Sequence, residues 1–294
     1  MASARNIGSF RRRLLLDRTY KECAVRKRRI RGLASNVALN SVLLLLIVFL
    51  LMPILLVIPL SFSSGDFFIY PLPGLSMRWY REFLSSPVWL DALRSSLLVA
   101  SATMVMATVL GTLAAVGFWR SKSWIGKALL ALLVAPLIVP VVILAIALFF
   151  LASRVGLASS IWALVLGHTV ISMPLVILIV LATLRGYNAN LTRAALNLGA
   201  TPLQAFFHVT LPLIAPGVAS GALLAFATSF DESILSLFLG SPEHRTLPRF
   251  LFSGLRESIT PVVAVAATMI VLLAVLLILL AGYLRMRGAR LRTA

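Results

Sequence analysis

The stretch RAALNLGATPLQAFFHVTLP, residues 193–212, lies between two long apolar runs. Asn190 stands where it can cap a short helix, with Leu191, Ala195 and Leu198 on one face at i, i+4 and i+7. Gly199 follows at the place where a helix closes on a left-handed residue. A second helix start is written in Thr201-Pro202-Leu203-Gln204: a hydroxyl at the N-cap, proline at the first position and glutamine at the third to close a capping box. Phe206, Phe207 and Leu211 give that helix an apolar face, and Pro212 is expected to break it before the next apolar run. Small Ala194 and Ala195 let another surface come close to the first helix. These residues alone leave two uses open, a face laid on lipid or a face docked on protein.

The surroundings of the stretch exclude a soluble fold. The 294 residues are 60% hydrophobic and only 12% charged, against about 25% charged in soluble domains. Six runs are long enough to cross a bilayer: 37–61, 92–118, 128–152, 161–184, 213–238 and 261–284. Polar or Pro/Gly-punctuated segments such as Ser63-Ser64-Gly65-Asp66 and Gly240-Ser241-Pro242-Glu243 separate them, leaving no room for a separate soluble domain. The Arg-rich arm before the first run, the length of that run and the lack of a small-residue cleavage site argue against a secretory signal.

The net charge of +18 would suggest nucleic acid in a soluble protein. Here it follows the spans instead, so no nucleic-acid partner is expected. Residues 1–36, 119–127, 185–212 and 285–294 together carry twenty Lys/Arg, and the opposite side carries seven. The positive-inside rule then puts both termini and the 193–212 stretch in the cytoplasm. The basic tail 1–36 also draws the chain to anionic lipid, at about 1 kcal/mol per basic residue near the surface.

Catalytic and metal chemistry are not written in the chain. Gly126-Lys127-Ala128 lacks the upstream glycine and the hydroxyl of a phosphate-binding loop. The single Cys23 excludes an intramolecular disulfide and a cysteine metal cluster. His168, His208 and His244 are scattered, and His168 suits a packed, hydrogen-bonded role better than a ligand's. No metal site and no cofactor of this chain is expected, so any driving energy must come from a partner.

Asp231 and Glu232 are the only acidic pair inside an expected span, where a charge costs about 2.5–3.5 kcal/mol at the centre. From Leu213, at 1.5 Å per residue, Asp231 would lie about 27 Å along the fifth span. Either carboxylate can hold an amine in passage, with Phe226 and Phe230 offering cation–π contact. Hydration at a mouth, or capping of a following helix, is the alternative. Pro136, Pro140 and Pro174 permit kinks around a cavity. Gly111, Gly117, Gly217 and Gly221 suit close helix packing.

The opening stretch resembles the cytoplasmic signature of binding-protein-dependent ABC importer permeases, Glu-Ala-Ala, three residues, Gly, nine residues, Ile-x-Leu-Pro. Here it stands as Arg193-Ala194-Ala195, Gly199 and, after nine residues, Val209-Thr210-Leu211-Pro212. Val replaces Ile, and Arg193 replaces the family's Glu. The likeness extends over residues 71–284. The segments "GLSMRWYREFLSSPVWLDALRSSLLVA", "APLIVP", "GHTVISMP" and "SFDESILSLFLGSPEHRTLPRFLFSGLRESITP" are similar to the spermidine/putrescine permease branch.

The resemblance implies an all-α membrane protein of six transmembrane helices, the type I ABC importer fold, with cytoplasmic termini in a bacterial inner membrane. It implies a basic tail 1–36, a first helix 37–61, a periplasmic loop 62–91, a five-helix core 92–284 with a coupling loop at 186–212, and a basic tail 285–294. Arg193, Ala194, Ala195, Gly199, Ala200, Val209, Leu211 and Pro212 would form the face docked on an ATPase dimer that holds ATP and Mg. The other implied partners are a second, homologous permease (a heterodimer), a periplasmic binding protein and a polyamine cargo. An amino-acid derivative, opine, phosphonate or ferric ion is the alternative cargo. A secondary transporter would need an internal repeat or an ion site at mid-bilayer, and neither is evident. A membrane scaffold would tolerate changes in the loop and the acidic pair.

Overall fold

The computed structural model describes residues 39–121, 123–257 and 260–293, so the expected basic tail 1–36 lies outside the described residues. The chain divides into two compact units, Met1–Leu56 and Val57–Ala294. Helix α1, Leu39–Leu60, contains the described part of the first and is long and apolar enough to span a membrane. Among the described residues of the second unit all regular structure is helical, with one isolated bridge between Ser63 and Leu75.

Short α2 (Arg78–Ser85) buries Trp79 and Phe83, one turn apart. Pro87, pre-set for a first helical position, then starts α3 (Pro87–Arg120) five residues before the expected 92. The third span departs most from expectation. Residues 128–152 do not form one straight helix: α4 (Trp124–Val134), a 3₁₀ turn (Ala135–Leu137) and α5 (Val141–Arg154) bend by 105°. Pro136 and Pro140 each remove a backbone donor: Ala135 before Pro136 stays helical and the chain tightens into the 3₁₀ turn, and at Pro140, with ψ 127°, it leaves the helical region before α5 begins. Pro174 has no such effect on continuity: α6 (Ile161–Arg185) runs through it as one helix.

The helical segment after α6 is α7 (Ala189–Asn197), followed by α8 (Pro202–Ala205), a π turn (Phe206–Thr210) and α9 (Leu211–Asp231). The last three form one continuous helix, Pro202–Asp231. Pro212 therefore does not break it. A proline clashes with the carbonyl four residues back, and the widened turn just before Pro212 absorbs that clash without ending the helix. The far boundary also moves. Helix α9 ends at Asp231, and Ile234–Leu239 is a separate helix, α10, so the expected fifth span 213–238 is broken near its end. Helices α11 (Leu247–Glu257) and α12 (Val262–Thr293) complete the chain, with 262–280 apolar enough to span. Among the described residues five helices qualify as spans, six if the bent pair counts as one.

Helices α3, α6 and α9 pack against one another around Val176 of α6. A Cβ on Gly111 of α3 would stand 2.9 Å from the Val176 side chain, and one on Gly221 of α9 3.3 Å from it. A Cβ on Gly217 would run into Thr183. Three of the four glycines assigned to packing thus carry a close helix contact. Gly117 does not; nothing lies within 4 Å of its would-be side chain. At the α2 side of the unit, Trp89 meets Phe250 edge-on at 4.6 Å, and the Ser96 hydroxyl accepts the Leu247 N–H at 2.7 Å.

Candidate functional site

Segment 188–212 is fixed by its own backbone. Asn188, not Asn190, caps α7: its carboxamide oxygen accepts the Asn190 N–H at 3.0 Å. The cap sits two residues earlier than expected because α6 ends at Arg185, with Gly186 at its C-cap, and Asn188 is already extended just before the new turn. At the far end Gly199 has φ +90°, the Ala200 N–H reaches the Ala195 carbonyl at 3.1 Å, and the Gly199 N–H reaches Leu196 at 3.0 Å. Those paired bonds are the left-handed helix ending that glycine favours. The capping box is complete: Gln204 Oε1 accepts the Thr201 N–H at 2.9 Å, and Thr201 Oγ1 accepts the Gln204 N–H at 3.3 Å.

This stiff frame presents an apolar rim. Leu198 is 89% exposed and Leu203 67%, on either side of Gly199, with Leu191 and Phe207 also exposed. Of the expected docking residues, Arg193, Ala194, Gly199 and Pro212 are exposed, while Ala195, Ala200, Val209 and Leu211 are half-buried. The space over Gly199 is open, so its constraint is conformational and not steric. Phe206 and Phe207 do not share a face: Phe206 packs against the α3–α6–α9 core and Phe207 turns outward. Arg193 donates to Asn190 Oδ1 at 3.4 Å and, among the described residues, has no carboxylate partner.

The base of the segment holds a hydroxyl cluster that sequence reasoning missed. Tyr187 Oη lies 2.6 Å from Thr192 Oγ1 and 3.4 Å from Thr210 Oγ1, and the two threonines are 3.2 Å apart. The Tyr187 ring meets Trp119 at the end of α3 edge-on at 5.7 Å. The cluster ties α7 and the π turn to the ends of α3 and α6. Its members are 5 and 18 residues apart in sequence, a spacing that carries no recognisable signal.

At the other end of α9 the acidic pair sits at the helix break and is not enclosed in a continuous span. Glu232 is engaged locally: its Oε1 accepts the N–H groups of Ile234 at 2.8 Å and Leu235 at 3.1 Å, capping α10. Capping of a following helix, the alternative role of this pair, is thus the role Glu232 fills. Asp231 is exposed and, among the described residues, has neither a hydrogen-bond nor an ion-pair partner. Phe226 and Phe230 stack at 5.8 Å with ring planes 12° apart. Phe230 is buried in a core cluster, and Phe226 lies half-buried against it. His168 is fully buried, in keeping with the packed role expected of it, and both of its ring nitrogens face serine hydroxyls. Among the described residues no group of three or more His, Cys, Asp or Glu is placed to hold a metal.

Among the described residues, apolar helices long enough to cross a membrane make this an all-helical membrane protein. Residues 107–288 match the family described as binding-protein-dependent transport system inner membrane component, and the chain belongs to that family, as a multi-pass permease of the bacterial inner membrane. It is similar to the putrescine transport system permease protein PotI of Escherichia coli (strain K12), 34% identical over 85% of this chain and 92% of PotI. It is also similar to the spermidine/putrescine transport system permease protein PotC of Haemophilus influenzae, 28% identical over 82% of this chain and 93% of PotC. The fold is shared with a chain of a bacterial ABC transporter involved in the import of alginate, at a TM-score of 0.66 and 16% identity, over 90% of this chain and 99% of that one.

Proposed function

We propose that this chain is one of two permease subunits of an ATP-driven polyamine importer. Its 188–212 segment is gripped by a cytoplasmic ATPase, and both termini are cytoplasmic. The observation that carries the coupling role is the exposure of Leu198 and Leu203 on a backbone locked by a left-handed ending and a capping box. Large apolar side chains held outward on a stiff frame suit burial in a partner's groove, because little ordering entropy remains to be lost on docking. A surface meant only for lipid would not need both locks.

Arg193 is exposed and, among the described residues, has no carboxylate partner, so the ATPase groove supplies an acidic residue where this family more often places Glu on the permease. ATP and Mg belong to that ATPase dimer; this chain hydrolyses nothing. The second permease is homologous and not identical, and a periplasmic binding protein delivers the cargo. The polyamine assignment is supported by PotI and PotC, whose names carry putrescine and spermidine. A cationic cargo also fits Asp231, the exposed carboxylate that no local donor engages.

The test is ATPase activity of the assembled complex in lipid nanodiscs, with the binding protein empty or loaded from a panel of polyamines, amino acids and anions. Stimulation by the putrescine- or spermidine-loaded protein is the expected result. Stimulation by another loaded ligand would keep the importer and discard polyamine. Failure of any ATPase to assemble on the chain would overturn the coupling role.

A further inference from the structure

We propose that His168 is a positioning residue that sets the Asp231–Glu232 turn from α6, by bonding both helices that flank the break. His168 is 0% exposed. Its Nδ1 lies 2.8 Å from Ser229 Oγ, on α9 just before the break, and its Nε2 lies 3.2 Å from Ser236 Oγ, on α10 just after it. One side chain on a third helix is therefore the common partner of both sides.

The donors settle the direction of each bond. Ser236 Oγ also lies 3.0 Å from the Glu232 carbonyl, and a carbonyl only accepts, so the single hydroxyl proton of Ser236 goes there. Ser236 Oγ must then accept from His168, which places a proton on Nε2. Nδ1 is left to accept from the Ser229 hydroxyl. The result is one directed chain, Ser229 O–H to Nδ1, Nε2–H to Ser236 Oγ, and Ser236 O–H to the Glu232 carbonyl. Glu232 is thus held twice, at its carbonyl by this chain and at its carboxylate by the N–H groups of Ile234 and Leu235. Asp231 lies between the held residues Ser229 and Glu232, and among the described residues its side chain makes no hydrogen bond or ion pair, so its place is decided by theirs. Buried polar chains of this kind are costly when half-satisfied, so removing one member should move the turn and not merely weaken one contact.

This inference rests on the reading of Asp231 as the cargo-facing carboxylate, and the test separates the two. Transport kinetics are measured in proteoliposomes holding the complete complex with its binding protein. His168→Leu and Ser236→Ala are each expected to raise KM for the amine by about fivefold, with maximal transport and stimulated ATPase within about twofold of wild type, the pattern of a displaced binding group. Combined with Asp231→Asn, His168→Leu should add no further rise in KM, because it acts through that carboxylate. A cargo-free readout runs alongside. In a Cys23→Ser background carrying Asp231→Cys, His168→Leu and Ser236→Ala should each change the rate of maleimide labelling at 231 by about fivefold or more. Unchanged labelling in both variants of the folded complex would overturn the positioning role. If Asp231→Asn alone transports with wild-type KM, the cargo reading falls, and the labelling rates then decide the role of His168 by themselves.

Discussion

The two ends of the Pro202–Asp231 helix are held in opposite ways. At the 188–212 end the caps and turns that set the exposed rim are local, with Asn188 bonding two residues ahead, Gly199 and Ala200 bonding back across three and five residues, and Thr201 and Gln204 bonding each other, while Tyr187, Thr192 and Thr210 anchor its base to the bundle. At the Asp231 end the local cap by Glu232 is joined by restraints that reach across the fold, from His168 to Ser229 and Ser236, 61 and 68 residues away. The first end is a surface stiffened before anything binds it, with Leu198 and Leu203 held outward. The second is a turn whose shape depends on how α6, α9 and α10 are packed. A part that must fit a partner's groove gains from being rigid on its own. A part that must change as a pathway opens gains from reporting the packing of the helices around it.

The largest expected effect breaks the comparison by unseating the helix that joins the two ends. Gly217→Leu would drive a side chain into Thr183, whose own hydroxyl is committed to the Ile179 carbonyl at 3.0 Å. A cost of about 3 kcal/mol is expected, the upper part of the usual overpacking range. Loss of the detergent-extracted complex, or a fall in its Tm, would register it, whereas Gly117→Leu should leave both unchanged because its surroundings are open.

Next comes Leu198→Asp with Leu203→Asp, which attacks the rim and spares the frame. The chain should insert and fold normally yet lose about 10²-fold or more in affinity for its ATPase, as expected for two anchors made charged. Co-purification against a tagged ATPase measures it. Asp231→Asn is expected to be milder, a rise of about fivefold in KM for a cationic cargo with no loss of ATPase binding, read from transport kinetics. The smallest effect belongs to the frame itself. Thr201→Ala removes one half of the capping box and should cost about 1 kcal/mol of local helix stability. Hydrogen exchange at the Leu203 and Gln204 amides would show it, with the Asp231 end unaffected.

Local and distant restraint also explain what was legible in the sequence. The left-handed ending at Gly199 and the Thr201–Gln204 capping box follow from residue types at fixed short spacings, and both are present. Five of the six expected apolar runs coincide with spanning helices, because length and apolarity are local quantities. Failures arise where neighbours in space decide. Pro136, Pro140, Pro174 and Pro212 are the same residue, yet only the first pair turns the chain sharply, since α6 and α9 keep continuous packing through theirs. The break after Asp231 was hidden inside an apolar run, with Glu232 as a cap its only local sign. The Tyr187–Thr192–Thr210 cluster and the serines around His168 left no sign, because hydroxyls that meet across helices have no required spacing.

The most direct test of the division between a gripped end and a selecting end is to record transport and ATP hydrolysis together, in the same proteoliposomes, for Leu198→Asp/Leu203→Asp and for Asp231→Asn. The first variant is expected to lose ATPase stimulation at every cargo concentration, and the second to keep it once cargo is raised several-fold. That division would be contradicted if raised cargo rescued the rim variant, or if the Asp231 variant lost stimulation that no cargo concentration restored.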